Sequence, residues 1–351
     1  MLAAYHRGRV REPSQGSRCY ETQIVSEAVA VSHPEKVLFP EDGITKADLC
    51  AYYEAIAPLM LPHITGRPVT MERFPAGIGK KGFIHKDVSK GFPDWLERVA
   101  VEKRDEKDPG TVHYALAKDT RSLVWMANQN SVTPHVWCSR VPNLQQPDLC
   151  VFDLDPPGDD PKPLRAAALA VRDLLDELGL PSFVKTSGSK GFHIVIPLDG
   201  DGDVEPSFEV SWRFTHGAGA LLVKRHPDLL TQEFIKADRA GRIFVDTGRN
   251  GPGATCAAVY AVRPKPGAPV SAPCTWQEIE SEAAEPRTFT LRTIPARIAA
   301  VGDLWAGIEE RRCSLGAALK TLEGLLTDDD WNESMAATTR RPTSRKATRK
   351  R

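Results

Sequence analysis

The chain has 351 residues, 41% hydrophobic and 26% charged, which suits a globular protein with one large domain or two lobes. Basic and acidic residues balance at 46 each, but Arg340–Arg351 (RRPTSRKATRKR) holds seven basic residues and no acidic one, so the rest sets 39 basic against 46 acidic. No apolar run could span a bilayer, no secretory leader opens the chain, and the seven scattered cysteines form no C-x-x-C, which argues against a membrane protein, a zinc module or a disulfide framework. The expectation is a cytoplasmic protein with reduced, mostly buried thiols.

Residues 1–25 are polar, carry Arg7, Arg9, Arg11 and Arg18, and read as a loose arm. Thr45 and Asp48 have capping-box spacing and predict a helix to about Leu61, with Leu49, Tyr52, Tyr53, Ile56 and Leu59 at helical intervals. Residues 67–75 and 82–86 read as strands around a Gly/Lys-rich turn, and 110–137 alternate weaker strand and helix signals. Leu149–Leu154 is an apolar run ending in acid, the pattern of a buried strand. Asp159-Asp160-Pro161 opens a helix that Gly179 closes. Strands follow at 182–186 and 192–198, a helix from Ser207 to about Arg225, and a strand at 242–246. A Pro-rich stretch at 263–273 reads as a long surface loop, and Leu304–Leu326 returns to helix. The whole reads as mixed α/β (α+β), with lobes over about 26–145 and 146–300, helices over 301–330 and a basic tail over 331–351. Such tails often touch nucleic acid.

Three short motifs carry the chemistry. Phe152-Asp153-Leu154-Asp155-Pro156 sets two carboxylates at i and i+2 on a strand, so both project from one face while Leu154 packs the other. Two such charges call for a cation between them, and hard divalent metals take oxygen ligands of this kind. Thr186–His193 (TSGSKGFH) offers backbone N–H groups in a Gly-rich turn, with Lys190 and His193, the makings of an anion-binding nest. Its spacing is not that of a Walker A loop. Ile243-Phe244-Val245-Asp246 ends another buried strand in a third acid. Singly, each has a plain explanation as a solvated strand end, a hairpin turn or a core histidine. Together they supply what a divalent metal and a nucleoside triphosphate need.

In this order the motifs resemble those of the archaeo-eukaryotic primase superfamily. The chain further resembles the polymerase domain of bacterial ligase D, used in non-homologous end joining, and its stand-alone relatives (Prim-PolC). Ser32–Pro40 (SHPEKVLFP) and Thr45-Lys46 carry that likeness, which runs from about residue 30 to about 300. The resemblance implies a two-lobed primase-polymerase fold, with central mixed and antiparallel sheets flanked by helices and an RRM-like catalytic core. It implies that Asp153, Asp155 and Asp246 bind two catalytic Mn²⁺ or Mg²⁺ ions. Ser187, Lys190 and His193 would hold the incoming NTP or dNTP, helped by Arg263, with His135 near the sugar and metal. Lys36 and Lys46 would form a pocket for a downstream 5′-phosphate, beside His33. Arg239 would lie near the primer end, and Arg73 and Lys86 would touch template or phosphates.

The pattern departs from the family at two places. Phe83-Ile84 stands where adjacent aromatics stack on the template, and Thr247-Gly248 follows the third acid where an aromatic is common. No K-x-D-G ligase motif occurs, so a separate DNA ligase is expected as a partner, and a Ku-type end-binding protein if end joining is the task. The reading is a monomeric, template-dependent nucleotidyltransferase that fills short gaps or ends in broken DNA, prefers ribonucleotides and is nucleoid-associated. Two alternatives are a non-catalytic DNA-binding module of the same fold and a haloacid-dehalogenase-type phosphatase, in which Asp153 would be a nucleophile. Pro156-Pro157 argues against the phosphatase, and retention of all three acids, Lys190 and His193 against the binding module.

Overall fold

The structure, a computed structural model, describes residues 29–339 except 104–107, 201 and 203. The expected arm over 1–25 and the basic residues from Arg340 onward lie outside the described residues. A small hairpin, β1 (Val37–Phe39) and β2 (Ile44–Thr45), leads into α1 (Lys46–Ile64). The capping box forms as expected, Thr45 accepting from the Asp48 backbone and Asp48 from the Thr45 backbone. Then come β3 (Pro68–Arg73), β4 (Phe83–His85), β5 (Arg98–Glu102), β6 (Thr111–Leu116), α2 (Thr120–Asn128) and β7 (Ser131–Trp137). Next are β8 (Leu149–Asp155), α3 (Pro161–Glu177), β9 (Phe183–Thr186), β10 (Phe192–Pro197), α4 (Phe208–Arg225), β11 (Leu230–Thr231) and β12 (Ile243–Asp246). The chain continues through β13 (Thr255–Ala257), β14 (Ala261–Val262), β15 (Val270–Ser271), β16 (Pro273–Cys274), α5 (Trp276–Glu280), α6 (Ile294–Val301), α7 (Gly316–Leu325) and α8 (Asp328–Thr339).

Two six-stranded sheets organise these elements. The first runs β13-β7-β3-β6-β5, with β4 also on β3. The second runs β11-β12-β8-β10-β9-β16 and is antiparallel except for the β11–β12 pair. Strand β8 is central because Cys150, Val151, Phe152 and Leu154 are all fully buried. The two sheets are tied by a buried ion-pair cluster. Arg67, just after α1, grips Asp148 with both guanidinium nitrogens at 2.5 and 2.7 Å, and Arg140 adds a third bond at 2.8 Å.

The structure corrects four expectations. The lobes interlace rather than dividing near residue 145, because β13 returns to pair with β7 in the first sheet. The Pro-rich stretch is not all surface loop: Val270, Ser271 and Ala272 are fully buried, and β16 closes the edge of the second sheet. Residues 304–326 do not form one helix; a 3₁₀ turn at Ile308–Arg311 and the extended Arg312 precede α7. The basic tail does not begin at 331, because α8 runs to Thr339.

Candidate active site

The antiparallel registers bring the motifs into one row. Asp153 on β8 lies opposite Asp246 on β12 and opposite His193 on β10, and His193 lies opposite Lys185 on β9. Residues directly opposed in an antiparallel pair share a face, so all four side chains rise from the same side of the sheet. Asp155, two residues beyond Asp153, shares that face, while Leu154 between them is buried on the other. The Asp153 side chain is 18% exposed and that of Asp155 48%.

Two arginines neutralise these carboxylates. Arg249 Nε lies 3.1 Å from Asp153 Oδ2, and its Nη2 3.4 Å from Asp246 Oδ2. Arg239 Nη1 lies 2.7 Å from Asp155 Oδ2, its guanidinium stacked 4.0 Å from the centre of the Phe244 ring. Burial, partly countered by Arg249 and reinforced by Asp246, raises the Asp153 carboxyl above its ordinary range. Among the described residues no three His, Cys, Asp or Glu side chains close into a ready-made metal cage. The donor set nonetheless fits a hard divalent cation: carboxylate oxygens on one face, their charge balanced by side-chain cations on rotatable stems.

The turn between β9 and β10 flanks the row. Ser187 Oγ accepts from the backbone N–H groups of Ser189 and Gly191 at 3.1 and 3.0 Å. This corrects the nest expectation, since two of its amides are satisfied within the turn. Gly188 has φ of +64°, and a Cβ there would lie 2.6 Å from Arg263 Cγ. At Gly191 a Cβ would lie 1.7 Å from the Leu154 carbonyl oxygen, so glycine lets the turn close against β8. Arg263 Nη1 donates to the Ser187 carbonyl at 2.8 Å, while its Nε is buried without a partner, as suits a site for an anion. Lys190 reaches Asp159 at 3.3 Å, beside a cleft of about 300 Å³ that Arg287 also lines. His135, on β7, lies 3.3 Å from Glu72 Oε2. Burial and the charges of Lys185 and Arg263 hold the His193 imidazole well below its ordinary value, so it is neutral.

The residues expected to meet DNA lie mainly on the first sheet and the segment before α1. His33 is exposed, and Lys36 is half-buried. Lys46 is buried at 3% exposure, its Nζ 2.6 Å from the Ser32 carbonyl and 3.5 Å from Asn128 Oδ1. Burial and the neighbouring Lys36 lower its pKa. Lys46 thus pins the segment that carries His33 and Lys36. Phe83 and Ile84 stand out on β4, 47% and 54% exposed, with Lys86 exposed beyond them. Arg73 lies under Phe83 at 5.4 Å and donates to Gln129 O and to His85 Nδ1 at 2.8 and 2.9 Å.

Lys185, Arg249 and Glu72 were not singled out from sequence. Lys185 carried a usable signal: it lies two residues before Ser187 on a predicted strand, across the turn from His193, where strand periodicity puts it in the row. Arg249, in an irregular Gly-rich turn, carried none.

Residues 45–305 match the model of the LigD primase-polymerase domain. The multifunctional non-homologous end joining protein LigD of Mycolicibacterium smegmatis is 36% identical over 295 residues, 81% of this chain and 36% of that protein. The Pseudomonas aeruginosa protein of the same name is 32% identical over 304 residues, 85% of this chain and 35% of that one. The chain therefore spans about a third of the length of these relatives. The solved polymerase domain of Mycobacterium tuberculosis ligase D, in complex with DNA, superposes with a TM-score of 0.74 at 34% identity, covering 82% of this chain and 99% of that one. The chain belongs to the LigD primase-polymerase domain family, a family of metal-dependent, template-directed nucleotidyltransferases.

Proposed function

We propose that the protein fills short gaps or ends in broken duplex DNA, preferring ribonucleotides and recognising a downstream 5′-phosphate. The row Asp246–Asp153–His193, with Asp155 on the same face, carries this reading. A primer 3′-hydroxyl attacks the α-phosphate of a bound nucleoside triphosphate and pyrophosphate leaves. Asp153, Asp155 and Asp246 would hold two Mn²⁺ or Mg²⁺ ions, which when bound stabilise the charge developing on the transferring phosphoryl group. Arg249 and Arg239 release these carboxylates as the site fills. Arg263, through its unpartnered Nε, and His193, as a neutral donor, hold the triphosphate, with Ser187 shaping the turn and Lys190 leaving Asp159 to join them. His135 contacts the sugar.

Lys36 and His33, on the segment that Lys46 anchors, receive the 5′-phosphate. Phosphate contacts of this kind give structure-specific rather than sequence-specific binding. Phe83 offers one stacking ring at the template strand, and Ile84 an apolar edge. Arg73 supports Phe83 from beneath, Lys86 adds a phosphate contact, and Arg239 moves to the primer end. The protein works as a monomer, at the nucleoid, with a DNA ligase activity and a Ku-type end-binding protein as partners.

The test is primer extension on a gapped duplex whose downstream strand ends in 5′-phosphate or 5′-hydroxyl, with Mn²⁺ and either rNTPs or dNTPs. Addition that is metal-dependent and stronger with 5′-phosphate and rNTPs is expected. Asp153→Ala is expected to abolish addition while leaving duplex binding within about twofold. Indifference to the phosphate removes the Lys36 pocket. Absence of addition under every condition replaces the polymerase with a DNA-binding module.

A further inference from the structure

Lys185 has no part in the reaction described above, yet it is buried at 2% exposure beside the row of functional side chains. Its Nζ lies 2.7 Å from His193 Nδ1, 3.0 Å from the Ala257 carbonyl and 2.5 Å from Ser271 Oγ. Ser271 gives its own hydroxyl proton to the Thr186 carbonyl at 2.9 Å, so a lone pair is left for the ammonium. An ammonium has three N–H donors and no acceptor; the Ala257 carbonyl and the Ser271 hydroxyl take two of them, which leaves the third for His193 Nδ1. Burial lowers the Lys185 pKa to about 8, while the Ala257 carbonyl and the Ser271 lone pair gathered on Nζ favour the ammonium. His193 Nδ1 is then an acceptor, and in a neutral ring the proton must sit on Nε2. Nε2 is the nitrogen that faces the carboxylates, 3.5 Å from Asp153 Oδ1.

We propose that Lys185 is a positioning residue that locks His193 in its neutral Nε2–H tautomer, so that a fixed hydrogen-bond donor faces the carboxylate row and the incoming phosphates. Without the ammonium, the ring is free to place its proton on Nδ1 and turn a lone pair to the site, where it would repel phosphate oxygens. The lock is also a joint between the sheets. Lys185 belongs to the second, while Ala257 sits on β13, which pairs with β7 of the first opposite His135. The seating of β13 therefore helps set which nitrogen of His193 carries the proton. The phosphate half of this inference rests on the polymerase reading; the tautomer half does not.

Nitrogen-15 spectra of histidine-labelled protein at pH 7 test the lock, with the His193 signals identified by their loss in His193→Gln. The wild type is expected to show a bare Nδ1 and a protonated Nε2. Lys185→Met, similar in length but without the charge, is expected to populate the Nδ1–H form. Ser271→Ala, which leaves the ammonium in place, is expected to keep the wild-type pattern. In primer extension, Lys185→Met should raise the nucleotide KM about tenfold, the worth of one neutral hydrogen bond, with a smaller change in kcat and unchanged duplex affinity. A protonated Nδ1 in the wild type overturns the proposal, and so does an unchanged tautomer in Lys185→Met. Should Lys185→Met fail to fold, the wild-type spectrum still decides. A shifted tautomer with an unchanged KM supports the lock and overturns the assignment of His193 to the triphosphate.

Discussion

Asp153 and Asp246 face each other across neighbouring strands, and Arg249 is the cation that bridges them. Its guanidinium does electrostatically what a metal ion would do there. If the metal-loaded site no longer needs Arg249, its removal penalises only the metal-free protein. Arg249→Gln is expected to cost about 1 kcal/mol in the presence of a chelator, a modest value because Arg249 is 40% exposed and partly screened. That corresponds to a melting temperature lower by about 2 °C. By the same cycle, Mn²⁺ should bind the variant about fivefold more tightly, since the metal no longer displaces a resident cation. Calorimetric titration with Mn²⁺ reads this directly, and unchanged or weaker binding would remove Arg249 from the role of stand-in. Such contacts were not readable in sequence. The three acids were, because strand periodicity alone puts Asp153 and Asp155 on one face. Their neutralising arginines come from turns, where spacing along the chain says nothing about where a long side chain will reach.

At the scale of elements, the helix caps, which rest on local physics, were read correctly, whereas the single helix over 304–326 and the elements set by tertiary pairing were not. The Thr45–Asp48 box, the Asp160-Pro161 start of α3 and the Ser207 cap of α4 all form, because each satisfies backbone N–H groups within one turn. The crossing of β13 into the first sheet and the burial of β15 have no local signature; they follow from where the edges of the two sheets meet. The Arg67–Asp148–Arg140 cluster holds that meeting. Asp148 has an 18% exposed side chain, and although burial opposes it, Arg67 and Arg140 hold its pKa below the ordinary carboxylate value. A depressed acid contributes stability above its unfolded pKa and loses it as pH falls through the folded one. The protein should therefore lose stability below about pH 4 partly through this group. Asp148→Asn leaves Arg67 buried against an uncharged partner and is expected to cost about 3 kcal/mol at pH 7. Urea unfolding at pH 7 and near pH 3 measures both effects, and the variant's deficit should shrink at the lower pH. A deficit equally large at both would mean that packing, not charge, holds the sheets together.

Across the whole molecule, charge is distributed against expectation for a protein of DNA. Outside residues 340–351 the chain carries 39 basic and 46 acidic residues, so affinity for a polyanion must come from local clusters. One lies on the first sheet, where Lys80, Lys81, Lys86 and Lys90 are exposed around Phe83 and Ile84. The other is the terminal run of seven basic residues. The end of α8 lies close to the loop that carries Arg239, the partner of Asp155: the Phe234 N–H donates to the Ala337 carbonyl at 3.1 Å, and Arg239 donates to the Phe234 carbonyl. If duplex binds at this face, basic residues joined to the chain there are tethered beside it. Each phosphate they neutralise should add about 0.9 to the slope of log affinity against log salt. If four of the seven engage, the chain ended at Thr339 should show a slope shallower by roughly 3 to 4. Its affinity for duplex should fall most at low salt. Extension rates at saturating DNA should not change, because no residue of the row is touched. Fluorescence anisotropy on one gapped duplex across a salt series makes the comparison, and equal slopes would assign DNA affinity to the first-sheet cluster alone.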